Sequence, residues 1–256
     1  MIPRLYIDAP LKTGAAAPFD SAQAHYLKNV LRRAPGDEVR LFNGRDGEFA
    51  AEIAELKKKG GLAGVKAKTR EQTSEPELTL YFAPVKRGAL ETIVQKATEI
   101  GVAALQPVLT GRTVASKLNV ERLQAIAVEA AEQSGRLSIP SVGEPIKFAR
   151  MFDGWPENRR LLFCDEAGDD ESAEWGGREG RAPPLLEALK DHRRNTDQWA
   201  VLTGPEGGFA PEEREALRAK PFVTAATLGP RILRADTAAI SALVLWQAAL
   251  GDWIRP

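Results

Sequence analysis

Two short apolar runs in the last quarter of the chain, each ending in a glycine- and proline-bearing turn, limit most strongly what this sequence can fold into. Trp199-Ala200-Val201-Leu202 leads into Thr203-Gly204-Pro205-Glu206-Gly207-Gly208-Phe209. Val223-Thr224-Ala225-Ala226-Thr227-Leu228 leads into Gly229-Pro230-Arg231-Ile232-Leu233-Arg234-Ala235-Asp236-Thr237-Ala238. Runs of this length suit buried parallel strands, and each turn precedes a helical pattern, over residues 211–218 and 236–246. Such strands deliver both turns to one edge of a sheet, the edge outside which ligands of open α/β sheets bind. Glycine lets backbone N–H and C=O groups meet a ligand with no side chain between. The turns alone also fit the ordinary βα connections of a Rossmann-like domain.

Upstream, strand patterns at 78–83, 103–108 and 160–164 alternate with helical patterns at 88–100, 120–133 and 185–194, which predicts a mostly parallel α/β sheet. Residues 1–75 read differently. Short β runs at 4–7, 38–42, 47–55 and 62–69 surround one helical stretch, 25–33, closed by Pro35-Gly36-Asp37, and the natural solution is a small β-barrel with an inserted helix. Asn43-Gly44 is a hairpin signal. Lys57-Lys58-Lys59-Gly60-Gly61 is a second turn, either a solvated tip or an RNA contact. The polar stretch 70–77 ends in proline and reads as a linker. The expected division is therefore 1–72 and 73–256, α/β downstream and α+β overall.

With 43% hydrophobic residues, the 256-residue chain is able to bury a core. No apolar run is long enough to span a bilayer, and Met1-Ile2-Pro3-Arg4 lacks the build of a signal peptide. One cysteine, Cys164, allows no intrachain disulfide, so a cytoplasmic location is expected. With His25 and His192 the only histidines, no zinc site is expected. Lys plus Arg equals Asp plus Glu at 35 each, which argues against a uniformly basic nucleic-acid binder. The acid is concentrated, however: residues 153–182 hold 4 basic and 9 acidic side chains, leaving the N-terminal half mildly basic. Residues 166–182, rich in glycine and acid, read as a mobile surface loop.

Four further stretches set beside the two turns resemble one family. They are His25 with Val30-Leu31-Arg32; Pro84-Val85-Lys86 followed by residues 95–102; Gly111-Arg112; and Glu129-Ala130-Ala131-Glu132-Gln133-Ser134-Gly135-Arg136, ending at Pro140. The chain resembles, over nearly its whole length, the bacterial 16S ribosomal RNA uracil-N3 methyltransferases. These are SPOUT enzymes with a PUA-like N-terminal barrel and a C-terminal trefoil knot that holds S-adenosylmethionine. A departure is Ala235-Asp236, a shorter acid than that family carries, and the 166–182 segment is a second. The resemblance implies a homodimer acting on 16S rRNA in the small ribosomal subunit. The apolar character of residues 239–246, with Trp253 beyond, agrees with a two-fold interface.

The residues then take roles. Leu202, Thr203, Gly204, Pro205, Glu206, Gly207 and Gly208, with Leu228, Gly229, Arg231, Ile232, Leu233 and Arg234, are expected around the cofactor, backbone groups toward the sulfonium and apolar side chains around adenine and ribose. Arg234 and Arg136 are candidates for stabilising a uracil anion, and Asp236 or Glu206 for taking the N3 proton. Pairing of Arg234 with Asp236, and an i,i+3 pair of Lys96 with Glu99, are structural alternatives. His25, Lys28, Arg32, Arg33, Lys86, Lys96 and Arg112 are the expected RNA contacts, although His25 equally suits packing beside Tyr26. Two other functions stay open on sequence grounds: a SPOUT enzyme for another rRNA or tRNA base, and a non-catalytic RNA-binding assembly protein. A phosphate hydrolase is disfavoured because neither turn has the Gly-x4-Gly-Lys-Ser/Thr spacing.

Overall fold

The computed structural model describes residues 2–73, 75–114, 118–170, 172–192 and 198–254. The chain clusters into two compact units, Met1–Ser74 with Val128–Ile139 and Glu75–Ala127 with Pro140–Pro256. Parts of two expected elements, Ser74 of the linker and Arg193 and Arg194 of the 185–194 helix, lie outside the described residues.

In the first unit, strands β1 (Arg4–Tyr6), β2 (Ala16–Phe19), β3 (Glu38–Phe42), β4 (Glu48–Lys57) and β5 (Gly60–Arg70) form one sheet in the order β1-β3-β4-β5-β2. Alternation decides the buried face: Val39 and Leu41 of β3 and Phe49, Ala51 and Ile53 of β4 meet Leu5, Ile7 and Val65 in one core. β2 escaped the sequence reading because Ala16-Ala17-Pro18-Phe19 has no β-branched residue. Its proline is tolerated because β2 is an edge strand. The expected 25–33 helix starts earlier, as α1 (Ser21–His25). Asp20 caps it, accepting from Gln23 N at 2.8 Å while Gln23 Oε1 accepts from Asp20 N at 3.1 Å. A π turn, Tyr26–Val30, continues it and buries Leu27.

In the second unit, strands β6 (Leu78–Phe82), β7 (Ala104–Leu109), β8 (Ser141–Val142), β9 (Ile146–Lys147), β10 (Arg159–Cys164), β11 (Gln198–Thr203) and β12 (Val223–Ala226) are all parallel, in the order β12-β10-β11-β6-β7-β8, with β9 on β7. Helices α2 (Arg87–Ile100), α3 (Val120–Ser134), α4 (Leu185–Ala188) and α5 (Pro211–Arg218) connect them, and α6 (Ala235–Leu250) follows β12. The mixed α/β fold with a parallel sheet is the one expected. One sheet face meets Val108, Leu161, Phe163, Leu202, Phe209 and Leu217. α6 packs on α2, α4 and β11. Burial on both faces is why these strands read as continuous apolar runs rather than alternating ones.

Residues 128–139, assigned downstream from sequence, cluster with the first unit. Ala131 and Leu137 bury against Phe42. Arg4 supplies the polar complement: Nη1 donates to Ala131 O at 3.0 Å and to Glu132 O at 2.9 Å, and Nη2 to Arg136 O at 2.9 Å. These carbonyls at the helix end have no intrahelical donor, so a fixed cation there satisfies them.

Candidate functional site

Because β10, β11 and β12 are neighbours and parallel, the segments that follow them emerge at the same sheet edge. Together they enclose a cavity of about 930 Å³, within the size range of small-molecule sites. Three walls come from consecutive connections: residues 164–170 with 173, 175 and 176 after β10; residues 203–209 after β11; and Ile232, Leu233, Ala235 and Ala238 after β12. Arg112, Arg214 and Arg218 complete it.

The 203–209 turn is tight. Gly208 N donates to Pro205 O at 2.9 Å, and Gly208 has a φ of +68°, a conformation that favours glycine. Arg112 braces it from outside, Nη1 donating to Gly207 O at 3.0 Å. Arg112 is in turn placed by Glu213, whose buried carboxylate accepts from Gly111 N at 2.8 Å and from Ala210 N at 3.0 Å. The turn after β12 includes Gly229, with φ at +118°, and leads to Arg234 as the residue capping α6.

The wall after β10 adds contacts that the reading of 166–182 as a surface loop did not include. Asp165, 2% exposed, receives Arg214 Nε at 2.9 Å and Arg218 Nε at 2.9 Å. Arg214 also donates to Gly168 O at 3.0 Å and Ala167 O at 2.8 Å, and Arg218 to Gly180 O at 3.0 Å. Gly168 N donates to Trp175 O at 3.0 Å, Asp169 N to Glu179 O at 2.9 Å and Asp170 N to Gly176 O at 3.1 Å, which folds the segment back on itself. Burial, reinforced by the nearby Asp165 charge, pushes the Glu166 carboxyl above its ordinary range. Six carboxylates, Asp165, Glu166, Asp169, Asp170, Glu206 and Glu215, line the cavity beside three arginines. The surroundings favour a cationic guest. No group of three or more His, Cys, Asp or Glu among the described residues is placed to hold a metal ion.

Of the expected cofactor residues, Thr203, Gly204, Pro205, Glu206, Gly207, Gly208, Ile232 and Leu233 line the cavity. Leu202 does not: strand alternation turns it into the core with Phe163 and Phe209. Leu228, Gly229, Arg231 and Arg234 lie on the same connection without lining it. Arg231 and Arg234 are exposed. The alternative pairing of Arg234 with Asp236 is not formed; Asp236 Oδ1 instead accepts from Thr237 N at 2.8 Å. Arg136 belongs to the first unit, where Nη2 donates to Ser138 Oγ at 2.9 Å, and it is not a lining residue. The Lys96–Glu99 alternative is the one observed, at 2.9 Å. Lys86, His25, Lys28 and Arg32 are exposed, Arg33 is half-buried, and Arg112, expected to meet RNA, lines the cavity and braces the glycine turn. Sequence reasoning missed Asp165, Trp175, Arg214 and Arg218. The i,i+4 arginines of α5 were the visible signal, but their carboxylate partners lie 45 or more positions upstream.

Comparison with known proteins bears on the same two regions. Residues 72–247 match the RNA methyltransferase domain family, and residues 19–65 match the RNA methyltransferase PUA domain family. A Rickettsia conorii protein named ribosomal RNA small subunit methyltransferase E is 31% identical, the alignment covering 94% of this chain and 93% of that protein. A Synechocystis protein of the same name is 34% identical over 92% of this chain and 74% of its own length. Among solved structures, the fold superposes with a TM-score of 0.81 on ribosomal RNA small subunit methyltransferase E from Neisseria gonorrhoeae bound to S-adenosyl methionine. That protein is 26% identical, with 99% of this chain and 100% of the other covered.

Proposed function

Since the chain belongs to the RNA methyltransferase family, we propose that it uses S-adenosylmethionine to methylate N3 of a specific uridine in the 16S rRNA of the small ribosomal subunit. The observation that carries this reading is the cavity at the carboxyl edge of β10, β11 and β12, walled by the glycine turn 203–208 and by Ile232 and Leu233. Its residues fit the donor. Backbone without side chains at Gly204, Gly207 and Gly208 admits close approach, apolar groups after β12 suit the adenosyl moiety, and the carboxylates suit a cation. When bound, the donor supplies an electrophilic methyl group on a sulfonium.

The chain's own residues hold and charge the acceptor. Arg234 stands beside the cavity-lining Leu233 and makes no side-chain hydrogen bond or ion pair among the described residues. Its guanidinium is a cation with a fork of N–H donors and is available to stabilise negative charge on O2 or O4 of uracil as the N3 proton leaves. Of the two candidate bases, Glu206 lines the cavity, whereas Asp236 is engaged with the Thr237 amide. Glu206 is therefore the better proton acceptor. Arg136 remains a candidate for anion stabilisation only through the first unit, to which it belongs.

RNA affinity is assigned to the first unit, read as a PUA-like barrel, through His25, Lys28, Arg32 and Arg33, with Lys86, Lys96 and Arg112 downstream. The trefoil knot is proposed from the crossing sequence: β12 pairs outside β10, yet α6 returns to pack on β11, α2 and α4, while Pro184 of the β10–β11 connection bridges Thr227 beside it. A homodimer is proposed from the C-terminal end. Trp253 is 54% and Ile254 50% exposed, next to a helix that is already buried over much of its surface. No described helix is long and apolar enough to cross a membrane. The proposed place of action is the cytoplasm, where an rRNA substrate would be met. Calorimetric titration with S-adenosylmethionine tests the cofactor: saturable binding supports the reading, and heat released with ATP but none with S-adenosylmethionine removes it.

A further inference from the structure

We propose that Trp175 is a donor-contacting residue: its indole, carried in by the segment after β10, lies against Gly208 of the glycine turn at the cavity and packs against the bound adenosyl donor. This rests on the cofactor reading above and adds a residue that neither of the two glycine turns supplies.

Four observations carry it. Trp175 lines the cavity and is only half-buried. Its ring reaches the turn, since a Cβ placed on Gly208 would stand 3.3 Å from Cζ3. Its backbone is left-handed, with φ at 55° and ψ at 32°, a conformation that a bulky residue rarely adopts and that glycine or asparagine would hold at less strain. The placement is also enforced. Asp165 fixes Arg214, Arg214 fixes Gly168 O, and Gly168 N fixes Trp175 O at 3.0 Å. A tryptophan kept where the backbone disfavours it, anchored by a nearly buried ion pair and facing a cavity, has a use for its ring. The ligand chemistry suits it: an indole stacks on a purine and attracts a cation over its face.

Two substitutions separate contact from loop architecture. Trp175→Asn keeps a residue that tolerates the left-handed backbone and removes the ring. Trp175→Phe keeps an aromatic face. Affinity for S-adenosylmethionine is measured by calorimetry on the full chain, with thermal unfolding as the structural control. The expected result is an affinity about tenfold weaker for Trp175→Asn, most of it restored in Trp175→Phe, at unchanged melting temperature. In wild type, donor binding should also perturb tryptophan fluorescence, and that perturbation should shrink in both variants. Wild-type affinity in Trp175→Asn overturns the proposal while leaving the cofactor reading intact. No binding to the wild-type protein removes the cofactor reading, and the proposal with it.

Discussion

Arg214 donates from Nε to Oδ1 of Asp165 at 2.9 Å, with side-chain exposures of 15% and 2%, so this cation–anion contact beside the cavity is one that water barely reaches. It joins α5 to the end of β10 and, through Gly168, to the segment that forms one wall. Breaking one partner of such a pair leaves the other charge buried, at a cost of about 3–5 kcal/mol. Asp165→Asn should therefore lower the melting temperature and speed amide hydrogen exchange over residues 165–180. Exchange at wild-type rates in that segment would show that the wall is held by something else.

Arg234→Ala should keep the fold and most of the donor affinity, because the residue is exposed and does not line the cavity. Methyl transfer should slow by roughly two to three orders of magnitude, the scale for losing one donor to a developing oxyanion. Raising the pH should partly restore the rate, since bulk hydroxide then supplies the uracil anion. A normal rate from a folded variant would move the charge to Arg112, Arg136 or a partner subunit.

Reversing Lys28 and Arg32 together to glutamate tests the first unit. Both are exposed, so little stability is at stake. If each meets a phosphate, RNA affinity should fall and the slope of log K against log salt should lose about one per contact. S-adenosylmethionine affinity should not change. An unaltered salt slope in filter-binding measurements would place the RNA elsewhere.

The half-buried Glu132 gives a pH signature. Burial pushes its carboxyl up to about 7 from 4.5, against the opposing hydrogen bond from Tyr6 N and the charge of Arg4, with Glu129 and Asp20 adding to the rise. The folded state therefore holds this proton more tightly than the unfolded state. The resulting stability is fully present below about pH 4.5 and is lost as pH rises through about 7. Glu132→Gln keeps an acceptor for Tyr6 and should exceed wild type at pH 8 by on the order of 2 kcal/mol while matching it at about pH 4. Urea unfolding at the two pH values checks this; an equal difference at both would reject the titration of Glu132.

How far the sequence foretold this molecule depended on whether the signal was local. The turn 203–208 was legible because strand length and glycine spacing are local properties, and the same is true of α5, found at Pro211–Arg218 as expected. Leu202 was misplaced because an apolar residue next to a ligand turn looks the same from sequence whether it faces ligand or core; only the register of β11 decides. Residues 166–182 carried the composition of a free loop, and what orders them, Asp165 against Arg214 and Arg218, is contact between distant positions. Arg136 was singled out as a cation closing a stretch that carries the family resemblance, at the end of a predicted helix. What that end packs on, Phe42 with Leu137, could not be read from periodicity.

The most direct test of the account is the product of the reaction. Small ribosomal subunits from cells lacking this protein, incubated with it and methyl-labelled S-adenosylmethionine, should incorporate label into 16S rRNA, and nucleoside digestion with mass analysis should place the methyl on N3 of uridine at a single site. Label on another base, on tRNA or on no RNA at all, from a protein that binds the donor, would contradict it.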